Sequence, residues 1–315
     1  MALRLRTIGP RFLEPVTGVL QRLFTPLALV PALVLIAVAH AWVYLDGGVD
    51  QALRDVLLQP LLMPAVFGVV LLTAAWHELG HASALRYGGG QPRGIGVGLY
   101  LVYPVFYTDT TDAYRLGRRS RVRVDLGGFY FHLLASVGLI GLAELTGQIW
   151  LLAAVLVINI EVLRQLLFPF VRLDGYWLLA DLTGVPDLFS QVGPFVRSRL
   201  RRARHKGDRL PELRPWARRV FAGYVLVAIP LLAFLAYQAI SRLPGFVKVA
   251  WQSFDAYREV FRQALHVGDA VGAMTATVQM LVLAVPAIGI VTFALLLLFW
   301  TARAIWRRLP ARATA

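Results

Sequence analysis

Cysteine is absent from the 315 residues, which excludes disulfides, thiolate zinc ligands and a cysteine nucleophile. Charge is scarce: Asp, Glu, Lys and Arg make up 16% of the chain, against about 25% in an average soluble domain. Acidic groups are scarcer still, 18 against 32 Lys and Arg. Internal repeats and low-complexity tracts are missing too. What is abundant is apolar surface, at 58% of residues, more than a soluble domain of this length has interior to hide. A soluble enzyme and a disordered chain are thereby excluded. The expected fold is an all-α polytopic membrane protein.

A helix crosses a bilayer with about 18 or more apolar residues. Five runs meet this cleanly, at about residues 24–45, 57–85, 149–171, 220–240 and 280–300, and a sixth, 122–142, carries Asp125 and His132. Residues 1–23 hold Arg4, Arg6 and Arg11 without a short apolar core and cleavage site, so they read as a retained segment rather than a signal peptide. The bias of Lys and Arg orients the spans. Arg4, Arg6, Arg11 and Arg22 precede the first, seven Arg lie between Arg86 and Arg123, ten Lys or Arg between Arg197 and Arg219, and Arg303, Arg307, Arg308 and Arg312 follow the last. These segments are expected inside. The Asp-bearing loop 46–55, the turn Thr146-Gly147-Gln148 and the loop 242–278 are expected outside. Six spans with both termini cytoplasmic satisfy every loop. The net charge of +14 is then a topology signal with attraction to anionic lipid, and a nucleic-acid partner is unnecessary. The expected organisation is a cytoplasmic segment 1–23, a membrane core 24–188, a basic amphipathic stretch 189–219, two accessory spans in 220–302 and a basic tail 303–315.

The strongest chemical signal is His77-Glu78-Leu79-Gly80-His81, at the inner end of the second span. Residues four apart share a helix face, so both imidazoles reach one ion, and Glu78 projects from the same turn as a candidate general base. With six His and six Glu in the chain, chance yields this pattern on the order of 0.002 times. Ionisable side chains within a span are costly and usually functional. Gly80 and Ala82 leave room beside the pair, for a substrate backbone or for helix packing. A catalytic zinc takes three protein ligands and keeps one position open. The candidates for the third are Asp174, His132, Asp125, Glu161, His40, Asp109 and Asp112. His40 falls near the opposite membrane face, and depth alone leaves Asp174, Asp125 and His132 competing.

The pair HELGH and Leu173-Asp174-Gly175 resembles the site-2 protease family of intramembrane zinc metalloproteases. FYTDTTDAYRLGRR (Phe106 to Arg119), VDLGGFYFH (Val124 to His132) and FPFVRLDGYWLLADLTGVPDL (Phe168 to Leu188) are similar to its bacterial peptide zinc metalloprotease branch. The likeness covers about residues 70–188. It implies one Zn²⁺ per chain on His77, His81 and Asp174, Glu78 as the base, and residence in a bacterial cytoplasmic membrane. It also implies hydrolysis of peptide bonds in membrane-anchored protein or peptide substrates near the cytoplasmic face. Two departures stand out. Phe168-Pro169 replaces the family's Asn-Pro ahead of LDG, and Gly127 to His132 replaces a Gly-Pro-x-x-Asn stretch, so the role of that Asn falls to His132 or is absent.

Between the second and third spans, Gly94, Gly96 and Gly98 alternate with Ile95, Val97 and Leu99, a period of two that predicts a strand. A small membrane-associated β element is expected in residues 90–110, with Gly96, Gly98 and His132 as substrate-binding candidates through edge pairing. Asp109 and Asp112 are expected to cap or orient that loop. The rival function is a transporter or peptide-export accessory with a structural zinc site, suggested by Pro-interrupted spans.

Overall fold

The computed structural model describes residues 3–46, 48–59, 62–100, 103–167, 172–185, 187–192 and 215–306. Most of the basic stretch 189–219, most of the tail 303–315 and the Phe168-Pro169 departure lie outside them. The order of elements is β1 (Leu3–Ile8), α1 (Pro10–Leu20), α2 (Pro26–Asp46), α3 (Val49–Leu58), α4 (Leu62–Tyr87), β2 (Ile95–Tyr100), β3 (Tyr103–Thr108), α5 (Arg118–Thr146), α6 (Leu151–Leu167), α7 (Asp174–Thr183), α8 (Pro215–His266) and α9 (Ala270–Trp306). The protein is mostly helical. Among the described residues four helices are long and apolar enough to cross a membrane, at Pro26–Leu45, Leu62–Tyr87, Arg118–Thr146 and Ala270–Leu296.

The two remaining runs lie in helices as well. Of the run expected over 149–171, the described residues 151–167 form α6, and Asp174 of the LDG motif opens α7. The run 220–240 lies within α8, which continues through the expected outer loop as far as His266. Hydropathy reports apolarity, not helicity, and this loop is polar yet rich in good helix formers. The i,i+3 pairs Asp255–Arg258 and Glu259–Arg262 support the continuation. The chain turns at Gly268, whose φ of +73° a side chain rarely adopts.

The chain divides into two compact units, residues 5–97 with 106–228, and residues 1–4, 98–105 and 229–315. In the first unit α4 and α5 make the most extensive helix contact. Glycines set its closeness. A Cβ on Gly80 would lie 2.3 Å from the Gly127 carbonyl oxygen, and one on Gly127 2.6 Å from that of Gly80. Lipid tails give packed helices no hydrophobic drive to associate, so a backbone-to-backbone crossing of small residues supplies the dispersion contact instead. The space at Gly80 is therefore filled by α5 rather than left for a substrate. Phe24, Leu85, Tyr130 and Phe131 pack around one end of this crossing. Val43, Val66, Ile140 and Leu151 to Val155 pack around the other.

β2 and β3 form the expected hairpin, extended by hydrogen bonds from Arg93 N to Asp109 O and Asp109 N to Gly94 O. The N-terminal segment adds a third strand that composition did not announce, giving the order β1-β2-β3. β2 is therefore the central strand. Gly96 and Gly98 lie on it, so their backbone groups are taken up within the sheet, and the two edges belong to β1 and β3.

Candidate metal centre

His77 and His81 project from one face of α4, as the four-residue spacing requires, and both are buried. Asp174, in the first turn of α7, reaches across to them. His77 Nε2 lies 2.8 Å from Asp174 Oδ2 and 3.0 Å from His81 Nε2. His81 Nε2 lies 3.3 Å from the same carboxylate oxygen. Among the described residues these three are the one group of His and acidic side chains close enough to share an ion. Asp125, Glu161, His40, Asp109, Asp112 and His132 stand outside it. The N-cap residue of α7 is Leu173, not Asp174, and the Asp174 carboxylate turns to the histidines.

The donor set fits a zinc ion on two independent grounds. The first is the direction of the lone pairs. His81 Nδ1 is 2.7 Å from the Val124 carbonyl, which only accepts, so the proton is assigned to Nδ1 and Nε2 is left with its lone pair. His77 Nε2 and Asp174 Oδ2 face that lone pair, and a cation is a partner that suits all three atoms. Their separations are near the edge of a tetrahedron with zinc–ligand bonds of about 2 Å, roughly 3.3 Å. The second ground is space. A Cβ on Gly128 would sit 2.3 Å from His77 Nε2 and 2.5 Å from His81 Nε2. Gly128 thus keeps clear a cradle within bonding reach of both nitrogens. The Asp174 side chain is 29% exposed, so one side of the group is open to a small reactant.

Glu78 follows His77 on the same turn, and its carboxylate acts electrostatically on His81. Thr108, the last residue of β3, holds it: the hydroxyl lies 2.7 Å from Glu78 Oε2 and 2.9 Å from the Glu78 carbonyl. Sequence reasoning passed over Thr108, although it stands within FYTDTTDAYRLGRR. It also passed over Gly128. No spacing rule announces either, because both act through tertiary contact.

The other candidates have partners of their own. Asp109 accepts from the backbone and hydroxyl of Thr111. Asp112 accepts from Gln91 N and pairs with Arg115, and the Gln91 N–H holds its carboxyl below the usual range. Both order the loop after β3. Glu161 pairs with Arg164 and Gln165. His40 bonds to Ile36 O and Asn159. Asp125 packs along α5 with Oδ2 unpartnered among the described residues. His132 turns Nδ1 toward His77 Nδ1 at 3.1 Å.

Asp174 is placed by two contacts. Gly175 lets α7 press on α6, since a Cβ there would lie 2.0 Å from the Gln165 carbonyl oxygen. Behind it, the Tyr176 hydroxyl donates to Asp187 at 2.6 Å, and Arg172 pairs with the same carboxylate. Arg172 and Tyr176 flank Asp174, so this knot fixes the backbone on both sides of the ligand.

No family model matches the chain, and no solved structure does. A protein of Bacillus subtilis (strain 168), named "Putative peptide zinc metalloprotease protein YydH", is 28% identical over 114 residues. That match takes in 35% of this chain and 44% of the relative, so the chain spans less than half the length of the relative it resembles.

Proposed function

We propose that the chain is an intramembrane zinc metalloendopeptidase of the site-2 protease type. It would cleave membrane-anchored protein or peptide substrates near the cytoplasmic face. The observation that carries this reading is the triangle of His77 Nε2, His81 Nε2 and Asp174 Oδ2, with Glu78 on the adjoining turn. The distant relative's name supports it. His77, His81 and Asp174 would hold one Zn²⁺. When bound, the ion supplies Lewis acidity, lowering the pKa of water toward 7 and polarising a carbonyl.

The remaining work falls to the chain's own groups. Glu78 Oε2 takes the proton of the attacking water and later delivers it to the leaving amine. Thr108 orients that carboxylate through its hydroxyl. β3 is an edge strand of the sheet and ends at Thr108, and an extended peptide added along it would run past Glu78. A peptide bond inside a helix has its carbonyl engaged, so favoured substrates carry helix-breaking residues near the cleaved bond. The exposed side of Asp174 favours a catalytic over a structural ion, because a structural site closes all four positions. Six spans with both termini cytoplasmic, in a bacterial inner membrane with anionic lipid, complete the proposal.

The test compares membrane-anchored fragments by proteomics in cells carrying the wild type or Glu78→Gln. Gln keeps the shape and removes the base, so the variant should retain zinc and accumulate uncleaved substrate. Cleavage that persists in the zinc-loaded variant refutes the assignment.

A further inference from the structure

A histidine that ligates a metal through one nitrogen needs an acceptor for the proton on the other, and that acceptor fixes the tautomer and the ring orientation. His81 has the Val124 carbonyl. His77 has no carbonyl or carboxylate in that position. Its Nδ1 faces another imidazole, the buried His132, at 3.1 Å between the two Nδ1 atoms. An N–H···N contact holds one proton. His77 Nε2 faces the other two ligand atoms, so the His77 proton belongs on Nδ1. His132 must then accept with a bare Nδ1 and carry its own proton on Nε2.

The spacing on α5 matches this division of labour. Val124, Gly128 and His132 follow one another at intervals of four, along one face. Val124 orients His81, Gly128 clears the space between the two ligand nitrogens, and His132 meets His77. Because α5 runs antiparallel to α4, the earlier residue on one helix meets the later one on the other.

We propose that His132 is a positioning residue, which through its Nδ1 holds His77 in the tautomer that leaves Nε2 free for the metal ion. The inference rests on the zinc reading given above. It assigns His132 a role toward the ligand, not toward the substrate. An apolar residue in its place strands the His77 Nδ1–H in a buried site, and the proton then shifts to Nε2, where Asp174 accepts it and the ion is excluded.

The experiment measures zinc affinity by competition with a chromophoric chelator, on the full chain in detergent micelles, for the wild type, Glu78→Gln, His132→Phe and His132→Asn. His132→Phe should bind zinc about 10- to 100-fold more weakly. His132→Asn should restore most of the loss, because Asn Oδ1 accepts where His Nδ1 did. Wild-type affinity in His132→Phe overturns the inference while leaving the zinc site intact. If neither the wild type nor Glu78→Gln takes up stoichiometric zinc, the zinc reading itself fails and the inference falls with it. Should His132→Phe not fold, ¹⁵N-histidine NMR of the zinc-loaded wild type decides. The expected spectrum has one metal-shifted ring protonated at Nδ1, hydrogen-bonded to a ring protonated at Nε2. A proton on His132 Nδ1 overturns the proposal.

Discussion

Gly128→Ala puts the proposed centre to its sharpest test, because the added atom lands among the ligands. The new Cβ would be 2.3, 2.4 and 2.5 Å from His77 Nε2, His77 Cε1 and His81 Nε2. Non-bonded carbon contacts are comfortable at about 3.5 Å, so each is short by about 1 Å. The helices cannot separate to relieve this cheaply, since the adjacent Gly80–Gly127 crossing already brings backbone against backbone. The imidazoles must rotate instead, and zinc–ligand distances tolerate only about 0.2 Å of error. Overpacking alone should cost about 1–3 kcal/mol. The lost ion adds to it: at a free zinc concentration 100-fold above the dissociation constant, binding stabilises the folded state by about 2.7 kcal/mol. Denaturant unfolding in detergent, run with a chelator and again with excess zinc, separates the two effects. The gap between variant and wild type should widen by about 2.7 kcal/mol when zinc is supplied. Gly138 and Gly141, on the same helix, have nothing within 4 Å of a new Cβ. Ala at either should be neutral or stabilise by about 0.5–1 kcal/mol, whether or not zinc is present. A Gly128→Ala protein that binds zinc as the wild type does would refute the location of the ion.

Three further outcomes are expected. Thr108→Val removes a hydrogen bond to a carboxylate, worth about 1.5–3 kcal/mol, so kcat on a model peptide should fall roughly 10- to 100-fold with zinc content unchanged, and Thr108→Ser should recover it; an unchanged kcat in the Val variant sinks the orienting role. Gly175→Ala drives a Cβ into the Gln165 carbonyl, which should push α7 off α6, lower stability by about 1–3 kcal/mol and weaken zinc binding through Asp174; isothermal titration with zinc checks it. Chelation should abolish peptidase activity and lower the melting temperature, with zinc but not magnesium restoring both, because two imidazoles and one carboxylate suit a borderline-soft ion.

The legible part of this protein was the local part. HELGH declares itself because the i,i+4 relation is a property of one helix, and the strand alternation around Gly94 to Leu99 does so for the same reason. Asp174 lies 97 residues beyond His77, and residue depth left it level with Asp125 and His132; motif resemblance separated them, and the structure then brought its carboxylate to the histidines. The length of α8 was hidden because a polar amphipathic continuation and an outer loop have the same hydropathy. β1 was hidden because a six-residue strand at an N-terminus carries too little pattern to read. Gly175 stands out in the sequence only as part of the LDG motif, yet its missing side chain serves a close approach to Gln165. A glycine's reason is visible only once its neighbours are placed.

The same dependence on neighbours explains why the ligand atoms converge so tightly. Three atoms bearing lone pairs within 3.3 Å of one another repel, and separate rotamers would ordinarily let them part. His81 is held by Val124, His77 meets His132, and Asp174 is flanked by the Arg172–Asp187–Tyr176 knot. A proton relieves the repulsion poorly, because it bridges two of the three atoms and leaves the third facing them. A cation would reach all three at once, and a catalytic zinc would have room for a fourth partner on the side where Asp174 is open to solvent. The glycines at 80, 127, 128 and 175 make that compactness attainable by letting α4, α5, α6 and α7 approach at backbone distance. Enlarging any one of them should therefore be felt at the ion before it is felt in the rest of the fold.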